Sequence, residues 1–111
     1  MAVVLSDVDY TFTATNQPFL TATTNALIIS KATVLNTDTT NRKITISRVS
    51  AGGTATLVVS GTGTSASGVI APGQTQKLPL SGFVLSMSES LNGFASAGSK
   101  VNVSVSYIIP G

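Results

Sequence analysis

Lys100-Val-Asn-Val-Ser-Val-Ser-Tyr-Ile-Ile109 is the stretch that decides the fold. Val101, Val103, Val105, Tyr107 and Ile109 alternate with Asn102, Ser104 and Ser106, the period of two that belongs to a strand buried on one face. A strand this regular cannot bury that face alone, so the rest of the chain must supply paired neighbours and a facing sheet. The alternation predicts that Val101, Val103, Val105 and Tyr107 point into the core.

Upstream, the same reading recurs in short runs. Val8, Tyr10, Phe12 and Ala14 alternate with Asp9, Thr11, Thr13 and Thr15, and Asn16-Gln-Pro18 breaks the run. Phe19–Thr24 reads as a short strand. Ala26–Leu35 is a stronger one, in which the consecutive Leu27, Ile28 and Ile29 require either two covered faces or a bulge. Asn36-Thr-Asp-Thr-Thr-Asn41 is turn chemistry, and a hairpin is expected there with Arg42–Val49 returning. Ile44 and Ile46 mark the buried face of that strand, and a bulge near Ser47 or Arg48 would bring Val49 into phase.

Ser50-Ala-Gly-Gly53 is a turn, followed by Ala55, Leu57 and Val59 on one strand face. Residues 61–68, with no side chain large enough to pack, are expected to form an exposed loop. Ala71-Pro-Gly-Gln74 fits a type II turn, with Gly at the position of positive φ. Pro79 limits Thr75–Leu80 to an edge strand or to the start of a bend. Phe83, Leu85 and Met87 alternate again, then Leu91, Gly93 and Ala95 point inward before Ala97-Gly-Ser99 turns into the last strand. About eight short strands at such spacing, with no helical period, predict an all-β fold: an antiparallel sandwich of jelly-roll type in a single domain. Its expected extent is 8–111, preceded by an amino-terminal arm at 1–7.

Composition narrows the function. The chain has 111 residues, six Lys or Arg against four Asp or Glu, and neither Cys nor His. One domain of this size buries roughly two thirds of its unfolded surface. A net charge of +2 and a pI near 9.3 are too dilute for a nucleic-acid footprint. Mean hydropathy is +0.40 although Ser and Thr exceed a quarter of the chain, so hydroxyls rather than charges hold the surface in water. Low charge leaves little to oppose self-association. Without cysteine there is no disulfide, thiolate or Cys-ligated metal. Met1-Ala-Val-Val-Leu5 is apolar, but it is too short and lacks the basic flank needed for a signal peptide or membrane span.

Chemistry has few carriers. Asp7 and Asp9 share a strand face and are read as a solvated edge, because a calcium loop needs more oxygen ligands at a different spacing. Gly61-Thr-Gly63 and Gly68 lack the Lys-Ser/Thr ending and the helix of a phosphate loop. Asn102-Val-Ser104 is a chance glycosylation match within a strand. Tyr10, Phe12 and Tyr107 form either core or, alternatively, a sugar-stacking platform. No enzyme activity, metal, cofactor or small-molecule ligand is expected. Two features suit protein contacts: the apolar Val3, Val4 and Leu5, and the basic Arg42, Lys43 and Arg48, whose role is either to meet acidic patches or to block edge aggregation.

The carboxyl-terminal half, from Val69-Ile-Ala-Pro-Gly-Gln-Thr75 through Leu78-Pro-Leu80 and Phe83-Val-Leu85 to Ala95–Tyr107, resembles small β-structured virion proteins of tailed bacteriophages. Within that group it is most similar to the capsid decoration, or staple, proteins of the epsilon-type short-tailed phages of enteric bacteria. The resemblance implies a protein made in the host cytoplasm that binds the outer surface of the capsid and bridges neighbouring major capsid proteins. It carries no active site across. On this reading the partners are the major capsid protein and further copies of the chain, a homo-oligomer with a dimer favoured, and neither nucleic acid nor membrane. A phage tail or neck component and a carbohydrate-binding module are the alternatives; the module would show its aromatics exposed in a row.

Overall fold

The computed structural model describes residues 4–23, 25–59, 69–78 and 80–109, with backbone alone for residues 4 and 5. Among the described residues ten strands follow one another: β1 (Val4–Thr11), β2 (Gln17–Thr21), β3 (Leu27–Asn36), β4 (Arg42–Val49), β5 (Ala55–Val59), β6 (Val69–Ile70), β7 (Thr75–Lys77), β8 (Val84–Leu85), β9 (Ser90–Ala95) and β10 (Val101–Ile109). They form two antiparallel sheets. Sheet A has the order β1-β10-β3-β7 with β8 also on β3, and sheet B the order β2-β9-β4-β5 with β6 also on β4.

The ten segments make eight runs. β5 and β6 follow each other along one side of β4, from Ala55 opposite Val49 to Ile70 opposite Arg42. β7 and β8 do the same along β3, from Thr75 opposite Leu35 to Leu85 opposite Leu27. Counted as runs, the first pairs with the last, the second with the seventh, the third with the sixth and the fourth with the fifth. That winding is the jelly roll expected from the spacing of turns.

β10 sits second in sheet A, paired with β1 along one side and β3 along the other. Val101, Val103 and Val105 are at most 1% exposed, and Tyr107 packs against the same core. One apolar cluster runs between the sheets, from Phe12 and Ile29 through Ile44 and Ile46 to Leu91. Tyr10, Phe12 and Phe19 meet in it with ring centroids 5.5–5.7 Å apart, two of the three pairs edge to face. Gly93 lies beneath these rings, as predicted for an inward position. A Cβ there would come within 2.6 Å of Phe12, so the ring packs directly on the β9 backbone.

Several expectations need correction. Residues 4–7, expected in an arm, pair with β10 from Val4 opposite Ile109 to Asp7 opposite Ser106, so the sheet begins earlier than the alternation alone indicates. Met1–Val3 lie outside the described residues, as do residues 60–68. Gln17 and Pro18, expected to break the chain, open β2, where Pro18 is tolerated at a sheet edge beside a register slip. Residues 36–41 do not close a hairpin; they cross from sheet A to sheet B. β4 pairs with β9 without a break from Ile44 to Val49, so the slip expected near Ser47 falls instead in β5, where Val58 is the extra residue and Val49 stays outward. The bulge expected around Leu27–Ile29 is present: Ser30 is the extra residue of β3, between Lys31 opposite Ser106 and Ile29 opposite Tyr107.

The Asn36–Asn41 crossing is tied by one buried amide. Asn36 is 0% exposed; its Nδ2 donates to the carbonyls of Thr40 and Ile70, 2.9 Å each, and its Oδ1 accepts from the Asp38 amide at 2.9 Å. The type II turn at Ala71–Gln74, with Gly73 at φ 69°, docks onto its backbone. Connections 12–16, 37–41, 71–74 and 96–100 therefore gather at one end of the sandwich, the Asn36 end. Connections 22–26, 50–54 and 86–89 gather at the other, the Met87 end, with the start of β1 and the finish of β10.

Candidate interaction surfaces

The fold separates the three basic residues. Arg42 and Arg48 share the parity of the buried Ile44 and Ile46 and so lean inward at opposite ends of β4, roughly 20 Å apart along an extended strand. At the Asn36 end, Arg42 forms an ion pair with Asp38, its Nε donating to Oδ2 at 2.6 Å. The Thr39 amide and then the Arg42 guanidinium hold the Asp38 carboxyl below its ordinary value, while partial burial opposes them. At the other end, the Arg48 guanidinium lies 5.4 Å from the Phe83 ring centroid. Lys43 alone is exposed on the outer face of sheet B, its amide donating to Ser96 Oγ at 3.1 Å. Each arginine thus has a partner within the chain, and the three basic residues do not line up as one stripe along β4.

Apolar exposure concentrates elsewhere. Leu57 and Met87 are each 58% exposed and Val84 46%, and all three lie toward the Met87 end, leaving Leu35 at 37% toward the Asn36 end. The backbone of Val4 and Leu5 opens β1 at the same Met87 end; Val3 lies outside the described residues. The predicted apolar contact stretch and the strongest apolar exposure thus share one end of the sandwich.

The outer face of sheet A is ordered in rows across the strands. Nearest the Met87 end, the register aligns Leu5, Ile108, Ile28 and Val84. Ile28 and Ile108 stand on the side away from the core, between the buried Leu27 and Ile29 and beside the inward Tyr107 and Ile109. The next row is Asp7, Ser106 and Lys31, and the one after it Asp9, Ser104, Thr33 and Lys77. All four charged residues are exposed, acidic on β1 and basic on β3 and β7. Toward the Asn36 end the face sinks into a depression of about 420 Å³ lined by Thr11, Thr33, Leu35, Thr75, Asn102 and Ser104 among others. Two of its hydroxyls are already engaged, Ser104 Oγ donating to Asp9 at 2.6 Å and Thr11 Oγ1 to Asn102 at 2.8 Å.

Sequence reasoning missed Ile28, Val84, Met87 and Ile108. The signal was there for two of them: Ile28 is the middle of three apolar residues, and Ile108 interrupts the alternation of β10. The aromatics face inward rather than lying in an exposed row: Phe12 is 0% and Phe19 7% exposed, and Tyr10 and Tyr107 pack against the core. Among the described residues no three Asp or Glu side chains gather as metal ligands would.

No family model matches the chain, and no curated protein matches it. Solved structures do. A chain of the Bacillus endospore appendages, a family of disulfide-linked pili, superposes with a TM-score of 0.55 at 19% identity, over 96% of this chain and 87% of that one. A chain of infectious bursal disease virus strain Gx gives 0.54 at 15% identity, over 99% of this chain and 33% of that one. In the cyanophage Pam1 capsid asymmetric unit a chain gives 0.45 at 20% identity, over 97% and 85%. At these identities the first two likenesses establish the shared all-β fold, and this chain spans about a third of the viral one.

Proposed function

We propose that the chain is a non-enzymatic structural virion protein that binds the outer surface of a bacteriophage capsid and staples neighbouring major capsid proteins. The observation that carries this reading is the Met87 end, toward which the exposed Met87, Leu57 and Val84 all lie on a chain rich in surface hydroxyls. Apolar surface of that kind suits a protein partner, and the sequence resemblance to phage decoration proteins says which one. Contact runs through Val3, Val4, Leu5, Met87 and Leu57, with Lys43 free to meet acidic groups. Arg42 and Arg48 act by holding the fold rather than by reaching the partner.

The test is co-sedimentation with undecorated shells of the cognate major capsid protein. Met87→Asp and Leu57→Asp, both at exposed positions, should each weaken binding at least about tenfold by placing a charge in the contact, whereas Arg42→Ala and Arg48→Ala should leave the affinity of folded protein unchanged.

A second reading, a subunit that polymerises with its own kind, draws on the near full-length likeness to the pilus chain. With no cysteine, such a polymer could not be disulfide-linked. Electron microscopy separates the two: open-ended filaments from the purified chain alone favour polymerisation, and decoration of shells favours the staple.

A further inference from the structure

We infer that the chain forms a closed dimer through the outer face of sheet A, with the two-fold axis running along the strands. The charge pattern selects both the occupant and the axis. Asp7 and Asp9 line the β1 side of this face, and Lys31 and Lys77 line the β3–β7 side in the same rows. A second copy turned about an axis parallel to the strands lays its β1 side over the first copy's β3–β7 side without shifting the rows. Asp7 then meets Lys31, Asp9 meets Lys77, and each pair occurs twice, as an isologous interface requires.

The same operation sets the apolar row of Ile28, Ile108 and Val84 against itself. Val84, 46% exposed, gains most from that cover. Exposed ion pairs contribute little on their own, so the apolar row supplies affinity and the charges supply orientation. The polar rows toward the Asn36 end, with their depression, stay hydrated as the rim.

The alternatives meet like charges. A two-fold axis across the strands places β1 over β1 and lysine over lysine. Antiparallel pairing of β1 edges, the longest unbroken edge among the described residues, brings Asp7 and Asp9 of one copy beside those of the other. Sheet B offers no comparable pattern, since Lys43 is the only charged residue on its outer face among the described residues.

This dimer stands whether or not the shell reading does, and it deepens that reading. An axis along the strands turns the Met87 ends of both copies the same way, so one dimer presents two contact ends to one surface.

Analytical ultracentrifugation of the full chain, from low micromolar to near-millimolar and without any shell, tests the inference. The wild type should dimerise reversibly, more weakly as salt rises. Val84→Lys should raise the dissociation constant at least about tenfold. The double variants Asp7→Lys/Asp9→Lys and Lys31→Asp/Lys77→Asp should each be monomeric, and an equimolar mixture of the two should associate again. All five positions are exposed, and circular dichroism with thermal melts checks that each variant is folded. A wild type that stays monomeric, a dimer that none of these changes moves, open-ended growth, or a mixture that fails to associate would overturn it.

Discussion

At the scale of single residues, the largest consequence falls on Asn36. Its side chain satisfies two carbonyls and one amide where the chain passes between sheets, and Asn36→Ala removes all three partners at once. Loss of about 2–4 kcal/mol in chemical denaturation is expected, because three hydrogen bonds of about 0.5–1.5 kcal/mol each are lost together at a buried crossing. Gly93→Ala should cost about 1–3 kcal/mol, since Phe12 and Phe19 must retreat from the new methyl group. Asp38 gives a pH signature. Thr39 and Arg42 favour its charged form in the folded state, so the stability it contributes is present above its ordinary value of 3.8 and lost as pH falls through the lower folded value. The gap in melting temperature between wild type and Asp38→Asn should be constant from neutrality down to that range and shrink below it. A gap that widened on acidification would contradict the pairing.

At the scale of elements, β10 was legible because its period is unbroken from Val101 to Tyr107, and the structure buries the valines that the period selects. Val103→Asp should abolish folding by burying an unpaired charge in the middle of a sheet, seen as loss of the β-type circular dichroism spectrum. The strand list and the type II turn were legible for the same reason: both are written in neighbouring residues. Which sheet a strand joins is not. Asn36–Asn41 states that the chain reverses but not that β4 leaves β3 for β9, a choice made by pairing with residues 41 to 51 positions away. Phase slips behave alike, for Val49 announced a mismatch and only the register located it at Val58 in β5. The inward lean of the arginines was also legible. Arg42 and Arg48 share the parity of Ile44 and Ile46, which already turns them inward. Arg48→Ala should therefore cost about 0.5–1 kcal/mol through its lost contact with Phe83.

For the whole molecule, the jelly roll supplies two ends and two outer faces, each with its own chemistry. The core and the Asn36 end hold the buried amide and one ion pair, the Met87 end collects apolar exposure, and sheet A displays opposite charges on its two sides. A molecule so divided suits attachment to other proteins. The fold was readable in the sequence because alternation and turns repeat along it. The surfaces were not, because each is assembled from strands far apart in the chain. The most direct measurement is occupancy of the purified wild-type protein on undecorated capsid shells, titrated by co-sedimentation. Saturable binding that raises the shell's resistance to heat, and that Met87→Asp together with deletion of residues 2–5 weakens, is the predicted result. A folded wild-type chain that never binds the shells would contradict the staple itself.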